Sequence, residues 1–341
     1  MAAPERTTAP PNGRLAFGLV TLAVVLAVVS VVSIAVGARS VGLGVVLDVV
    51  GGNGSGSSDH QVVAARLPRL FAGLLVGAGL GLAGAVMQGV TRNPLADPGL
   101  FGVNAGAAFA VVAAISWFGV DEPLRYVWFA FAGAAVVGAA VYAVGSMGGG
   151  GATPVKITLA GAAVNAVLLS VTTAVLLTDS ATFNQHRFWT VGSIAGRRGD
   201  LVAQLAPFLL AGVVLALVAG RLLNVLALGD DVARGLGQRV GSARALAGAA
   251  TILLCGAATA IAGPISFVGL LVPHVARRIT GPDQRWILPY SMLLAPVLLL
   301  GSDVLGRVVA PPGEIQVGVV LAFVGAPFLM VLLRNRKLRE L

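Results

Sequence analysis

One cysteine, three histidines and two lysines among 341 residues leave few chemistries open to this chain. A lone Cys255 inside an apolar run excludes a disulfide framework and a thiolate metal cluster, and reads as a small core residue. His60, His186 and His274 are too far apart for metal-ligand spacing. Lys156 stands between Val155 and Ile157, and Lys337 between Arg336 and Leu338, so neither completes a P-loop and the chain does not bind ATP by that device. With no G-x-S-x-G elbow and no acidic dyad within an apolar run, the sequence also argues against an intramembrane enzyme.

Charge is scarce too, at 11% of residues, against 57% hydrophobic residues and a mean hydropathy of +0.92. The apolar residues fall into ten blocks: 15–36, 67–90, 103–120, 126–147, 157–178, 201–223, 246–263, 265–279, 287–309 and 317–333. Most are long enough to cross a bilayer. The eighth is short and reads as part of a broken helix. These blocks predict an all-α polytopic membrane protein with about ten transmembrane helices. They form one membrane domain over 15–333, with cytoplasmic tails at 1–14 and 334–341.

The net charge of +9 raises nucleic acid as a partner, but its distribution argues otherwise. With ten spans and a cytoplasmic N-terminus, fifteen of the 23 Lys and Arg residues fall in inner segments, among them Arg92, Arg234, Arg244, Arg336, Lys337 and Arg339. The excess is a topology signal that predicts both termini in the cytoplasm. The first apolar block is too long for a signal peptide and reads as a retained helix.

Segment 38–65 is the longest connection, with 41–50 as an interfacial helix and 51–58 as a flexible Gly/Ser loop. A second outer segment, 179–200, carries Phe183, Phe188 and Trp189, which suit a membrane interface. Gly73, Gly77 and Gly81 recur every fourth position, a smooth stripe where another helix can approach.

Three segments carry the polar chemistry. Arg66 and Arg69 lie one turn apart at the outer end of the second block, and Arg307 at the outer end of the ninth. They either snorkel toward lipid phosphates or dock an acidic partner. Asp303, four residues before Arg307, is placed to pair with it and orient it. The second segment runs from Leu226 through Leu228, Gly229, Asp230, Asp231 and Arg234 to Leu236. It reads as a Gly break and a short helix with Asp230 as N-cap, exposing Leu226 and Leu228 to lipid or to a partner's groove. The third, Asn93-Pro94-Leu95-Ala96-Asp97-Pro98-Gly99, cannot continue a helix and is either a tight connection or a gate with Asn93 and Leu95 at its tip. Gln88, Asn104 and Asn165 sit within apolar runs. For the two asparagines a helix–helix hydrogen bond accounts for the residue without a substrate contact.

Taken together, Arg66-Leu67-Pro68-Arg69, Gly84-Ala85-Val86-Met87-Gln88, Asn93 to Asn104, Leu226 to Gly237, Ala262-Gly263-Pro264-Ile265-Ser266-Phe267-Val268-Gly269-Leu270 with Pro273-His274, and Gly325-Ala326-Pro327-Phe328 resemble one family. It is the family of membrane permease subunits of the ABC importers for iron–siderophore chelates, haem and cobalamin. Gln316 stands where many relatives have proline. The resemblance implies the type II importer permease fold in the cytoplasmic membrane. It further implies two permeases around a central path, as a homodimer or with an unlike paralogue, and two separate ATPase subunits that bind the ATP. It assigns Arg66, Arg69 and Arg307 to docking an extracytoplasmic substrate-binding protein. The 226–237 loop would couple to the ATPase, and Asn93, Leu95, Thr153 and Pro154 would form a cytoplasmic gate. Gln88, Asn104 and Asn165 become candidates to line the path. The 97–106 segment looks closer to the siderophore branch, with cobalamin or haem the alternative cargo. No cofactor is expected in this chain.

Two other classes make different demands. An ion-coupled secondary transporter calls for intramembrane acids or symmetric discontinuous helices, and only Asp303 lies well inside a block. A structural or signalling membrane protein needs neither an outer docking site nor a gate turn.

Overall fold

Segments this apolar must satisfy their own backbone hydrogen bonds, and among the described residues the regular elements that do so are all helices. A computed structural model describes residues 12–37, 39–52, 56–120, 122–148, 153–311 and 313–334. Residues 1–11, 38, 53–55, 121, 149–152, 312 and 335–341 lie outside them, and with them most of both tails, including Arg336, Lys337 and Arg339.

The helices are α1 (Asn12–Ala35), α2 (Leu43–Val50), α3 (Ser58–Thr91), α4 (Val103–Phe118), α5 (Pro123–Ser146), α6 (Pro154–Thr178) and α7 (Ser180–Thr190). They continue with α8 (Gly199–Ala227), α9 (Asp230–Gly235), α10 (Val240–Ala262), α11 (Val268–Thr280), α12 (Gln284–Val309) and α13 (Val317–Arg334). A 3-10 turn, Pro98–Phe101, leads into α4. Among the described residues seven helices (α1, α3, α5, α6, α8, α10 and α12) are long and apolar enough to cross a membrane, and α4, α11 and α13 are shorter. Each of the ten apolar blocks thus falls on a helix. The remaining three, α2, α7 and α9, are short pieces in the connections.

The longest helix is also the centre. α3 packs against α1, α8, α10, α11 and α12, and 78% of its apolar window is buried, against 6% for α1 and 11% for α6. Its glycine stripe makes this possible. A Cβ on Gly77 would stand 2.6 Å from the Pro296 Cα, and one on Gly81 2.6 Å from the Ser291 carbonyl oxygen, so the α12 backbone lies directly on α3. α1, apolar on every side, exposes Phe17, Val20, Val24 and Val28 as a helix facing lipid would.

Two features differ from the sequence reading, the start of α3 and the place of Trp189. α3 begins nine residues before the second block and runs straight through Pro68, because the Ser57 side chain caps it by accepting from the His60 N–H at 3.4 Å. Arg66 and Arg69 therefore sit inside a helix rather than at its start. The eighth block does follow a break, as its shortness suggests: Gly263 at φ +75° and Phe267 at φ +70° interrupt the chain between α10 and α11. Trp189 is buried within α7 rather than placed at an interface, while Phe183 on the same helix is exposed.

Candidate functional site

α3 carries polar chemistry at both ends. Arg66 and Arg92 are separated along it by about 40 Å at the 1.5 Å helical rise, so they mark opposite ends of the bundle.

At the Arg66 end the arginines turn inward. A helix C-terminus leaves carbonyl groups without partners, and two guanidinium groups supply them to α1. Arg66 donates to the carbonyls of Ile34 (2.6 Å), Ala35 (3.3 Å) and Arg39 (2.6 Å). Arg307 donates to those of Ser33 and Val36, both at 2.9 Å, and to the Ser33 hydroxyl at 3.1 Å. Arg69 reaches across to α12, where it grips Asp303 through three contacts of 2.7 to 3.2 Å, and also takes Glu314 at 2.8 Å. Arg307 completes the set with Asp303 at 3.1 Å. The pair expected within α12 therefore forms, but Asp303 is shared with α3. At 5% exposure Arg307 has no surface to offer a docking partner, because Asp303 and the end of α1 use its whole guanidinium. Arg66 and Arg69 remain only partly covered.

At the opposite end, α3 stops at Thr91 and Arg92 adopts the left-handed conformation at φ +52°. The Asn93 side chain then accepts from the Leu95 N–H at 2.9 Å, and Asp97 accepts from Gly99 N–H at 2.8 Å, which closes the turn into the 3-10 segment. Thr153 caps α6 by accepting from the Lys156 N–H at 3.4 Å, with Pro154 as the first helical residue.

The 226–237 loop lies beside this turn. Gly229, at φ +105°, is the N-cap of α9, a conformation closed to residues with a Cβ; Asp230 is the first helical residue and does not cap it. Asp230 is free to pair instead. It is engaged by Arg92 from the end of α3 and by Arg244 from α10 at 2.9 Å. Burial works to raise its carboxyl, but the charges of Arg244 and then Arg92 hold it below the usual carboxylate range. Leu228, Val232 and Leu236 are 60%, 51% and 65% exposed. Leu226 is fully buried, contrary to the expectation that it joins Leu228 on the surface. It still belongs to α8, whose inward face carries it into the bundle. Arg234 pairs with Asp231 at 2.9 Å on the exposed side. An open cavity of about 450 Å³, lined by Arg92, Pro154, Leu228, Gly229, Asp230 and Arg244 among others, brings the loop, the α3 turn and the start of α6 together.

The candidates within the bundle make packing hydrogen bonds, although the buried Gln88 Oε1 has no partner among the described residues. Gln88 is buried and donates to the carbonyls of Gly269 (3.3 Å) and Leu270 (3.1 Å), tying α3 to α11. Asn104 accepts from the Thr259 hydroxyl at 3.0 Å, and Asn165 donates to the Gly99 carbonyl at 3.3 Å. Among the described residues no three His, Cys, Asp or Glu side chains converge as a metal site.

Sequence reasoning missed Arg92, Arg244 and Glu314 as parts of these sites. For Arg92 and Arg244 the available signal was an arginine near an acidic loop on a helix end, which is indistinguishable from an inner-loop charge.

The chain matches the FecCD transport family over residues 25–335. It is 47% identical to the ferric enterobactin transport system permease protein FepD of Escherichia coli (strain K12), over 92% of this chain and 94% of that protein. It is 45% identical to the Fe(3+)-citrate import system permease protein YfmD of Bacillus subtilis (strain 168), over 82% and 83%. To the cobalamin import system permease protein BtuC of Halobacterium salinarum it is 38% identical, over 81% and 74%. Among solved structures, an inward-facing metal-chelate type ABC transporter superposes with a TM-score of 0.79 at 27% identity, covering 93% of this chain and 98% of that one.

Proposed function

Because this chain belongs to the FecCD transport family, we infer that it forms the path for a ferric siderophore through the cytoplasmic membrane, as one permease of a binding-protein-dependent ABC importer. It is a multi-pass transport subunit and not an enzyme. ATP hydrolysis belongs to a pair of separate ATPase subunits, and a second permease, an unlike paralogue or another copy, completes the path. The siderophore reading draws support from the ferric enterobactin and ferric citrate permeases among its relatives, and the cobalamin permease marks the alternative cargo.

The observation that carries the coupling is the outward face of α9. Three large apolar side chains stand exposed beside the ion-paired Asp230: Val232 on the short helix, and Leu228 and Leu236 in the residues that flank it. Such a face fits a groove on a partner. In this reading the Arg92 end is cytoplasmic, as are both termini, and membrane domain 15–333 has short tails. The turn at Asn93 and Leu95, with Thr153 and Pro154, gates the inner end. The Arg66 end then faces the binding protein. Arg66 and Arg69 meet its acidic groups, while Arg307 holds the end of α1 in place beneath them. Asp303, engaged by two arginines, is not available as an ion carrier, which weighs against secondary transport.

The test is gentle purification from the native membrane with mass spectrometry of what accompanies the chain, followed by uptake of iron-loaded enterobactin and of cobalamin in a strain lacking it. A stoichiometric ATPase with iron uptake supports the reading. An isolated chain, or uptake of cobalamin alone, overturns the coupling or the cargo respectively.

A further inference from the structure

Arg92, Asp230 and Arg244 come from three separate elements and meet at one carboxylate. Arg92 is the residue that ends α3, and its backbone continues directly into the Asn93–Leu95 turn. Asp230 is the first residue of α9, which exposes Val232 between the apolar residues Leu228 and Leu236 that flank it. Arg244 lies in the second turn of α10 and is 4% exposed. Among the described residues, Arg92–Asp230 is the one ion pair that links the end of α3 to the α8–α10 loop.

The two arginines are not equivalent. Arg244 is enclosed, so its bond to Asp230 is costly to break without a replacement. The Arg92 guanidinium is 35% exposed and is the exchangeable partner. Movement of α9 would therefore carry Asp230 along the Arg244 anchor and change its reach to Arg92. The cavity bordered by Arg92, Pro154, Leu228 and Asp230 leaves room for that displacement.

We propose that Arg92, Asp230 and Arg244 form a joint that passes movement of α9 to the 93–95 turn, with Arg92 as the positioning residue that sets the turn. This rests on the reading of α9 as the ATPase contact. It adds the specific connection by which that contact governs the gate.

The experiment uses the purified complex with its ATPase in lipid nanodiscs. A Leu95→Cys reporter on the partly exposed turn is labelled with a polar maleimide, without nucleotide and with ATP plus vanadate. The native Cys255 is buried and contributes little background. In the parent complex ATP changes the labelling rate. In Arg92→Gln hydrolysis continues while that change shrinks about fivefold, the size of a modest coupling energy, and Arg92→Lys restores part of it. A merely structural role would instead lower complex yield and hydrolysis together. If Arg92→Gln does not assemble, Asp230→Asn is read in the same way. A full labelling response in either variant overturns the joint, as does a parent complex whose labelling ignores ATP. Failure of the parent chain to retain an ATPase is a separate result, and it overturns the α9 contact itself.

Discussion

Arg69 on α3 and Asp303 on α12 are 234 residues apart and share three contacts of 2.7 to 3.2 Å, although Arg307 stands one turn from Asp303 on its own helix. A carboxylate 2% exposed is thereby held between two arginines. The central helix is locked to its principal neighbour at a point where solvent does not compete.

Removing that carboxylate leaves the buried Arg307 without its counter-charge and Arg69 with Glu314 alone. Asp303→Ala is expected to destabilise the protein by about 3 kcal/mol, the range for breaking a buried pair. Arg69→Lys, which keeps the charge and loses the planar fork, should cost less. Thermal unfolding in detergent ranks the two. Equal midpoints for Asp303→Ala and the parent would show that the pair contributes nothing.

Gly77 is a packing requirement. A valine there would place its Cβ 2.6 Å from the Pro296 Cα, where only a shift of the backbone gives relief. Gly77→Val should cost about 1–3 kcal/mol or more and lower the yield of folded protein. Wild-type thermal stability would mean that α3 and α12 do not meet at this point.

Leu226 and Leu228 are expected to respond oppositely. Leu228→Glu leaves the fold within about 0.5 kcal/mol of the parent but releases the ATPase during co-purification. Leu226→Ala opens a cavity and costs about 2–5 kcal/mol, with the ATPase retained by whatever protein folds. Retention of the ATPase by Leu228→Glu would remove α9 from the contact.

Asp283 gives the stability of the fold an acid limb. Its carboxylate, which caps α12, is lowered to about 2 from an ordinary 3.8 by hydrogen bonding from Arg285 and Asn224. A lowered carboxylate stabilises the fold above its ordinary pKa, and that contribution is lost as pH falls from about 4 to about 2; the shift corresponds to about 2 kcal/mol. Unfolding followed over that interval should show a shallower slope in Asp283→Asn than in the parent. An identical slope in the two proteins would exclude Asp283 as the source.

The architecture was legible before any coordinates because lipid makes a demand that a sequence cannot hide: about twenty apolar residues per crossing. Ten blocks, the glycine stripe, the break before the eighth span and the stop at Asn93-Pro94 all follow from hydropathy, side-chain size and proline chemistry. They are local properties, written into adjacent residues. The family itself is visible in the order of the motifs.

Partnership was settled by the tertiary structure. Nothing adjacent to Arg66 or Arg307 announces that their donors go to the carbonyls of Ser33 to Arg39, since a helix end advertises its unmet carbonyls but not who will meet them. Two residues of chain separate Leu226, fully buried, from Leu228, and only the point where α8 ends decides which faces out. Arg92 and Arg244 look like ordinary inner-loop charges until the fold brings them to the same carboxylate of Asp230. The sequence by itself determined which segments enter the membrane and where they must stop, because solvation acts residue by residue. Which charges meet across the bundle depends on the relative placement of whole helices, and that exists only once they have packed.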